Sequence, residues 1–233
     1  MPPGGGIIPA MTLAPMTLRI PGPAGDLEAA QEPQSDSAAQ CASYAVICHP
    51  HPLYGGTMHN KVVTTLARAL QAAGMPTLRF NFRGVGASAG VYDEGRGETD
   101  DAAAVADWGA SRWPGGRLVV AGFSFGAYVA LRLARQRPLE RLITVAPPLQ
   151  RFDFSDLSPP ACPWLIVQGD ADELVDAAGV IHWAEGLMPR PHLVVLPGVG
   201  HFFHGRLQEL SDAVIGEIRS GRQDANRTGQ EAG

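Results

Sequence analysis

Ser124, Asp172 and His201 have the types and the chain order needed for covalent acyl transfer. Ser124 sits in Gly122-Phe123-Ser124-Phe125-Gly126, directly after the apolar run Leu118-Val119-Val120-Ala121. That run reads as a strand buried on both faces of a parallel sheet, and the residues after Gly126 read as a helix. A serine at so tight a strand-to-helix turn is held in a strained backbone conformation, and the flanking glycines leave the room it requires. Its hydroxyl then lies at a helix N-terminus, where partial positive charge favours a developing oxyanion. A serine hydroxyl is a weak nucleophile at neutral pH; it needs a base, and the base needs an acid to orient it. Asp172 and His201 each come just past an apolar strand, and reacting groups in open α/β sheets gather at the carboxyl ends of strands.

The same loops hold rivals. Asp170, Glu173 and Asp176 share a loop with Asp172, and Asp153 and Asp156 follow the preceding strand. His204 competes with His201 but is expected at the start of the final helix, in an outlying role. An oxyanion needs two N–H donors, and Phe125 is expected to supply one. The second should come from His49-Pro50-His51-Pro52-Leu53-Tyr54-Gly55-Gly56. Proline nitrogens cannot donate, so Leu53 or Tyr54 is expected there, with His51 a further candidate. No carboxylate or third histidine follows His49 and His51 at short range, so no metal is expected. Gly84-Val85-Gly86-Ala87-Ser88-Ala89 looks like a loose dinucleotide fingerprint, but Gly90 to Gly95 does not start a helix that could receive a pyrophosphate. It is expected to be a tight loop beside the site.

The elements that must carry these residues alternate regularly. Thr17–Ile20 and Leu27–Ala30 read as two strands around a Pro/Gly turn, and Tyr44–Cys48 as a buried strand. A helix follows, with Val62, Leu66, Ala69, Leu70 and Ala73 on one face, stopped by Gly74 and Pro76. Leu78–Phe82 is the next strand, and a helix is expected to start near Glu98, Asp100 and Asp101. After the strand and helix around Ser124 come strands at Leu142–Ala146, Trp164–Val167 and Leu193–Leu196, with helices from Asp176 to Leu187 and through Leu207, Leu210, Val214 and Ile218. Near-continuous apolar strands alternating with helices mean an α/β fold, a doubly wound and mostly parallel sheet of about eight strands. One domain is expected over residues 16–220, with a poorly ordered Pro/Gly-rich extension at 1–15 and a frayed polar tail at 221–233. Residues 147–163 contain Pro148, Pro159, Pro160 and Pro163 and are too short for a helical cap.

Composition narrows the class. The 233 residues suffice for one well-buried α/β domain, and a formal charge of −5 argues against nucleic acid as partner. No run approaches the ~20 apolar residues that span a bilayer, so no membrane partner is expected. The first residues lack the form of a secretory leader, and three cysteines without close pairing suggest neither disulfides nor structural zinc. A cytoplasmic location is the expectation; a homodimer stays open.

Taken together, His49-Pro50-His51-Pro52-Leu53-Tyr54-Gly55-Gly56, Phe80-Asn81-Phe82-Arg83-Gly84-Val85-Gly86, Gly122-Phe123-Ser124-Phe125-Gly126, Gly169-Asp170-Ala171-Asp172-Glu173 and Gly200-His201-Phe202-Phe203-His204-Gly205 resemble the α/β-hydrolase superfamily, over residues of about 17 to 220. The chain is most similar to small, cap-less bacterial hydrolases near the dienelactone-hydrolase group. Dienelactone hydrolases proper carry cysteine where this chain has Ser124, which departs from that substrate. The resemblance implies an α/β-hydrolase fold with no cap domain, the acid at Asp172 and the base at His201. It implies a serine hydrolase without a cofactor, acting on a small carboxylic ester through an acyl-enzyme. A thioesterase or peptidase on the same residues, or a non-catalytic binding module, remains the alternative at this stage.

Overall fold

The computed structural model describes residues 15–32 and 42–231, with residues 222–231 as backbone alone. The expected extension at 1–15 and the polar stretch after Pro33 therefore lie almost wholly outside the described residues. Among the described residues, eight strands form one sheet: β1 Met16–Gly22, β2 Gly25–Gln31, β3 Ser43–Cys48, β4 Thr77–Phe80, β5 Arg117–Phe123, β6 Arg141–Val145, β7 Trp164–Gly169 and β8 His192–Leu196. Their spatial order is β1-β2-β4-β3-β5-β6-β7-β8. The β1–β2 hairpin is antiparallel and adds to β4 antiparallel, and every pairing from β4 to β8 is parallel. The described residues also form five α-helices: α1 Lys61–Ala72, α2 Arg96–Arg112, α3 Phe125–Gln136, α4 Ala177–Gly186 and α5 Leu207–Glu231.

Strand alternation decides which layer each helix joins. Val46, Cys48 and Val120 point to one face, where they pack with Ala102 and Val105 of α2, Val129 and Leu133 of α3, and Val180 and Ala184 of α4. Ala45, Ile47, Val119, Ala121 and Phe123 point to the other, against Val62, Leu66 and Leu70 of α1 and Leu210, Val214 and Ile218 of α5. The central strands β3, β5, β6 and β7 are buried at nearly every position, which is why their sequences read as unbroken apolar runs rather than alternating ones. Fully burying each large apolar side chain of this kind contributes about 1.5–3 kcal/mol, so the layer sandwich fixes the strand ends firmly.

Two boundaries differ from the sequence reading. Helix α2 starts at Arg96, ahead of Glu98, because the buried Glu98 carboxylate accepts the backbone N–H groups of Asp93 and Gly95. The acid therefore caps the first turn from inside the helix. The backbone of helix α5 is helical through Gly221 to Glu231. Within α5, Glu217 pairs with both Arg141 of β6 and His192 of β8, tying the helix across the sheet edge. Between Val145 and Trp164 the chain forms neither helix nor strand, so this segment puts no helical cap over the ends of β6 and β7.

Candidate active site

Ser124 sits between β5 and α3 with φ 54° and ψ −119°, a left-handed conformation that costs a non-glycine residue on the order of 1–3 kcal/mol. The surroundings hold it there: its N–H donates to the Val145 carbonyl at 2.8 Å, and its own carbonyl accepts from Ala127 at 2.8 Å. Both glycines of the turn are sterically required. A Cβ on Gly122 would overlap the Gly126 carbonyl, and one on Gly126 would overlap the Cys48 carbonyl of neighbouring β3. The turn is thus as tight as the Gly-x-Ser-x-Gly spacing predicts.

His201 and Asp172 meet Ser124 from the ends of β8 and β7. The imidazole Nε2 lies 3.2 Å from Ser124 Oγ, and Nδ1 lies 2.9 Å from Asp172 Oδ2. A carboxylate only accepts, so the proton sits on Nδ1 and Nε2 is left with its lone pair toward the serine. The Asp172 side chain is fully buried and that of His201 nearly so. Burial opposes ionisation of Asp172. The hydrogen bond and charge of His201, with the N–H groups of Leu174 and Val175, outweigh it and hold the carboxyl below its ordinary range. Gln168 Nε2 adds a further contact to Asp172 at 3.2 Å.

None of the rival acids hydrogen-bonds the His201 ring. Asp170 accepts the Gly198 N–H at 2.6 Å and so shapes the turn after β8. Asp153 closes a small turn onto Ser155, and His204 is exposed in the loop before α5 rather than on the helix itself. Glu173, which the sequence offered only as a loop acid, accepts the His201 backbone N–H at 3.0 Å and so seats that residue. The adjacency of Asp172 and Glu173 was the signal available for it. Residues 84–89 do form a tight loop, but it is fastened to the β1–β2 hairpin through Glu28, Asp26 and Asn81, and none of it lines the Ser124 cleft.

The oxyanion donors need a correction. The Phe125 N–H, on the first residue of α3, has no partner within the helix, and Phe125 lines the same cleft as Ser124. Leu53 and Tyr54 do not have a free N–H. Residues 52–54 wind into a single 3-10 turn in which the Tyr54 N–H donates to the His51 carbonyl and the Leu53 N–H to His51 Nδ1. Among the described residues the His51 N–H is given to no acceptor, and His51 lines the cleft with Ser124 and Phe125. His51 is therefore the loop residue whose amide is available.

His49 anchors that loop from below. It is completely buried; Nδ1 donates to the Pro50 carbonyl at 2.6 Å and Nε2 accepts the Phe82 N–H at 3.0 Å. Both ring nitrogens are thus engaged in holding backbone rather than presented to a ligand. Burial drives its pKa down to about 3, which keeps it neutral. His51 is also held below the ordinary histidine range, first by burial and then by the Arg151 charge. Tyr92, 3.1 Å from His51 Nε2, is pushed up to about 12 by burial and by Glu98 and Glu94.

The cleft itself has a volume of about 500 Å³. Tyr54, Phe125, Phe152 and Phe202 are the aromatics that line it. Phe123, Phe154 and Phe203 are buried in the core instead. Phe123 still matters locally, since its ring supports the His201 imidazole at 4.9 Å between centroids.

A family model described as serine aminopeptidase, S33, matches residues 45–154. The structure of XC6422 from Xanthomonas campestris, described as an a/b serine hydrolase without lid, is 46% identical with a TM-score of 0.84, over 93% of this chain and 97% of that one. An alpha-beta serine hydrolase homologue from Coxiella burnetii is also 46% identical, with a TM-score of 0.81, over 86% of this chain and 95% of that one. An uncharacterized protein of Rickettsia prowazekii (strain Madrid E) is 38% identical over 183 residues, 74% of this chain and 77% of its own length.

Proposed function

The chain belongs to the α/β serine hydrolases without a lid, and from that premise we propose that it cleaves small carboxylic esters through an acyl-enzyme on Ser124. The observation that carries this reading is the unbroken line from Asp172 Oδ2 through His201 to Ser124 Oγ. His201 Nε2 takes the serine proton as Oγ attacks the ester carbonyl. The oxyanion that forms accepts hydrogen bonds from the Phe125 and His51 N–H groups, with the α3 N-terminus adding favourable potential. Asp172 stabilises the imidazolium while keeping the ring in the Nδ1–H tautomer. The imidazolium then gives its proton to the leaving alkoxide. Water, deprotonated by the same histidine, attacks the acyl carbonyl, and the carboxylic acid leaves as Ser124 regains its proton.

The cleft lining favours esters over aminoacyl substrates. An aminopeptidase has to accommodate a substrate ammonium, for which a carboxylate is the natural partner. Among the described residues no Asp or Glu lines the Ser124 cleft, while Arg151 does. A cation there repels an ammonium and tolerates a neutral or negative substrate. The test is turnover of matched nitrophenyl esters, thioesters and aminoacyl nitroanilides by the wild-type protein and Ser124→Ala. Ester turnover that disappears in the variant is the expected result. Preferred turnover of aminoacyl nitroanilides would replace this reading with a peptidase.

A further inference from the structure

Beside the Ser124 cleft lies a second cavity, of about 650 Å³, and the two adjoin: His51, Tyr54, Arg151 and Phe152 line both. The second cavity also has Arg132 of α3, Tyr92 and Tyr128 in its walls. Its charges are unevenly matched. At the rim, Arg96 is paired with Asp93 and Glu94, and Asp153 is engaged with Ser155. Arg132 has only neutral partners: Nε donates to Thr99 Oγ1 and Nη1 to the Tyr128 hydroxyl, each at 3.3 Å, and the guanidinium lies 5.5 Å from the Tyr128 ring centre. Among the described residues, neither Arg132 nor Arg151 forms an ion pair with a carboxylate.

The hydroxyls beside these cations are left as donors. His51 Nδ1 accepts the Leu53 N–H, so the ring proton sits on Nε2 and is given to the Tyr92 oxygen 3.1 Å away. The Tyr92 hydroxyl keeps its own proton for another acceptor. Tyr128 is in the same position, since its oxygen accepts from Arg132. Two guanidinium groups and two hydroxyl donors thus border a space that adjoins the Ser124 cleft at Phe152, with the carboxylates of Glu94 and Asp153 also in its wall. Guanidinium forks match planar carboxylates and phosphates, and such charge-assisted bonds are stronger than neutral ones.

We propose that this second cavity holds an anionic group at the far end of the substrate, so that the natural ester is a short one bearing a terminal carboxylate or phosphate. This rests on Ser124 being the nucleophile, and it adds the substrate's charge to that reading.

Binding to the Ser124→Ala protein tests the assignment without relying on turnover. Calorimetry would compare 4-acetoxybutanoate and monomethyl glutarate with their uncharged amides, and 3-acetoxypropyl phosphate with 3-acetoxypropanol. At least one charged ester is expected to bind tenfold or more tighter than its neutral partner, with the preference falling as salt rises. Which of the carboxylates or the phosphate gains most identifies the anion. Adding Arg132→Met and Arg151→Met should bring the charged-to-neutral ratio near one, while Arg68→Gln, on the exposed face of α1, should leave it unchanged. Arg151→Met alone, at an exposed position, should lower the ratio severalfold if the double variant does not fold. Equal affinity for charged and neutral esters, or a preference that survives loss of the arginines, would overturn the proposal. Wild-type kcat/KM on the same pairs is read separately. Charge-selective binding without any hydrolysis would sink the esterase reading and leave the cavity assignment standing.

Discussion

Asp172 and Asp170 lie two positions apart and differ in what they hold. Asp172 Oδ2 meets the His201 imidazole, whereas Asp170 meets a backbone N–H at the β8 turn. Asp172→Asn is expected to lower kcat for a nitrophenyl ester by roughly 10⁴, because an amide there leaves the histidine in the wrong tautomer. Asp170→Asn should cost less than about tenfold, in line with the loss of one turn hydrogen bond of ~1 kcal/mol. Steady-state kinetics on both variants checks this, and the opposite ranking would move the acid to Asp170. His49 gives a pH prediction. In the unfolded chain it binds a proton below about pH 6.5, whereas in the fold its value is down to about 3. Between those limits the unfolded state carries more protons, so stability falls as pH drops from 6.5 toward 3, by a few kcal/mol at most. Asp172, held low, adds a loss in the acid range in the same direction. Denaturant unfolding at several pH values should show a shallower acid slope in His49→Gln than in the wild type; equal slopes would place the linkage elsewhere. Ser124, Asp172 and His201 could be read from residue types at consecutive strand ends. The available oxyanion amide could not, because it depends on which N–H groups a 3-10 turn uses internally.

At the scale of elements, the turn between β5 and α3 leaves no slack. Gly126 packs against the Cys48 and His49 carbonyls at the end of β3, so the Ser124 turn and the oxyanion loop share one contact surface. Gly126→Ala is expected to destabilise the fold by about 3 kcal/mol, lowering Tm by roughly 6–12 °C in a domain of this size, with activity falling further than stability. Thermal unfolding with parallel ester kinetics would check it; an unchanged Tm would show that β3 can move away. The central strands were legible because burial on both faces demands apolar residues at every position. Helix α2 was harder. Its start is set by Glu98 reaching back to Asp93 and Gly95, so the acid that seemed to open the helix lies inside its first turn. Past Gly221 the polar composition carries no helix signal, while the backbone is helical to Glu231.

For the molecule as a whole, the missing cap sets what the site can select. An extra methylene contributes about 1–3 kcal/mol of discrimination only where a pocket encloses it, and the segment between β6 and β7 forms no helix to cover their ends. Acetyl to butyryl esters should therefore outrank decanoyl esters in kcat/KM across a nitrophenyl series, and a maximum at decanoyl or longer would reveal an enclosed acyl tunnel. The absence of a cap was readable from the prolines of residues 147–163. The second cavity was not, because Arg132, Arg151, Tyr92 and His51 come from four separate parts of the chain and meet only in the fold. The whole account stands on Ser124 forming a covalent bond to its substrate. Treating the protein with a fluorophosphonate and mapping the adduct by peptide mass spectrometry tests that directly. A single adduct on Ser124, absent from Ser124→Ala and strongly reduced in His201→Ala, is the predicted result. Full labelling at another residue, or ester turnover retained by Ser124→Ala, would contradict it.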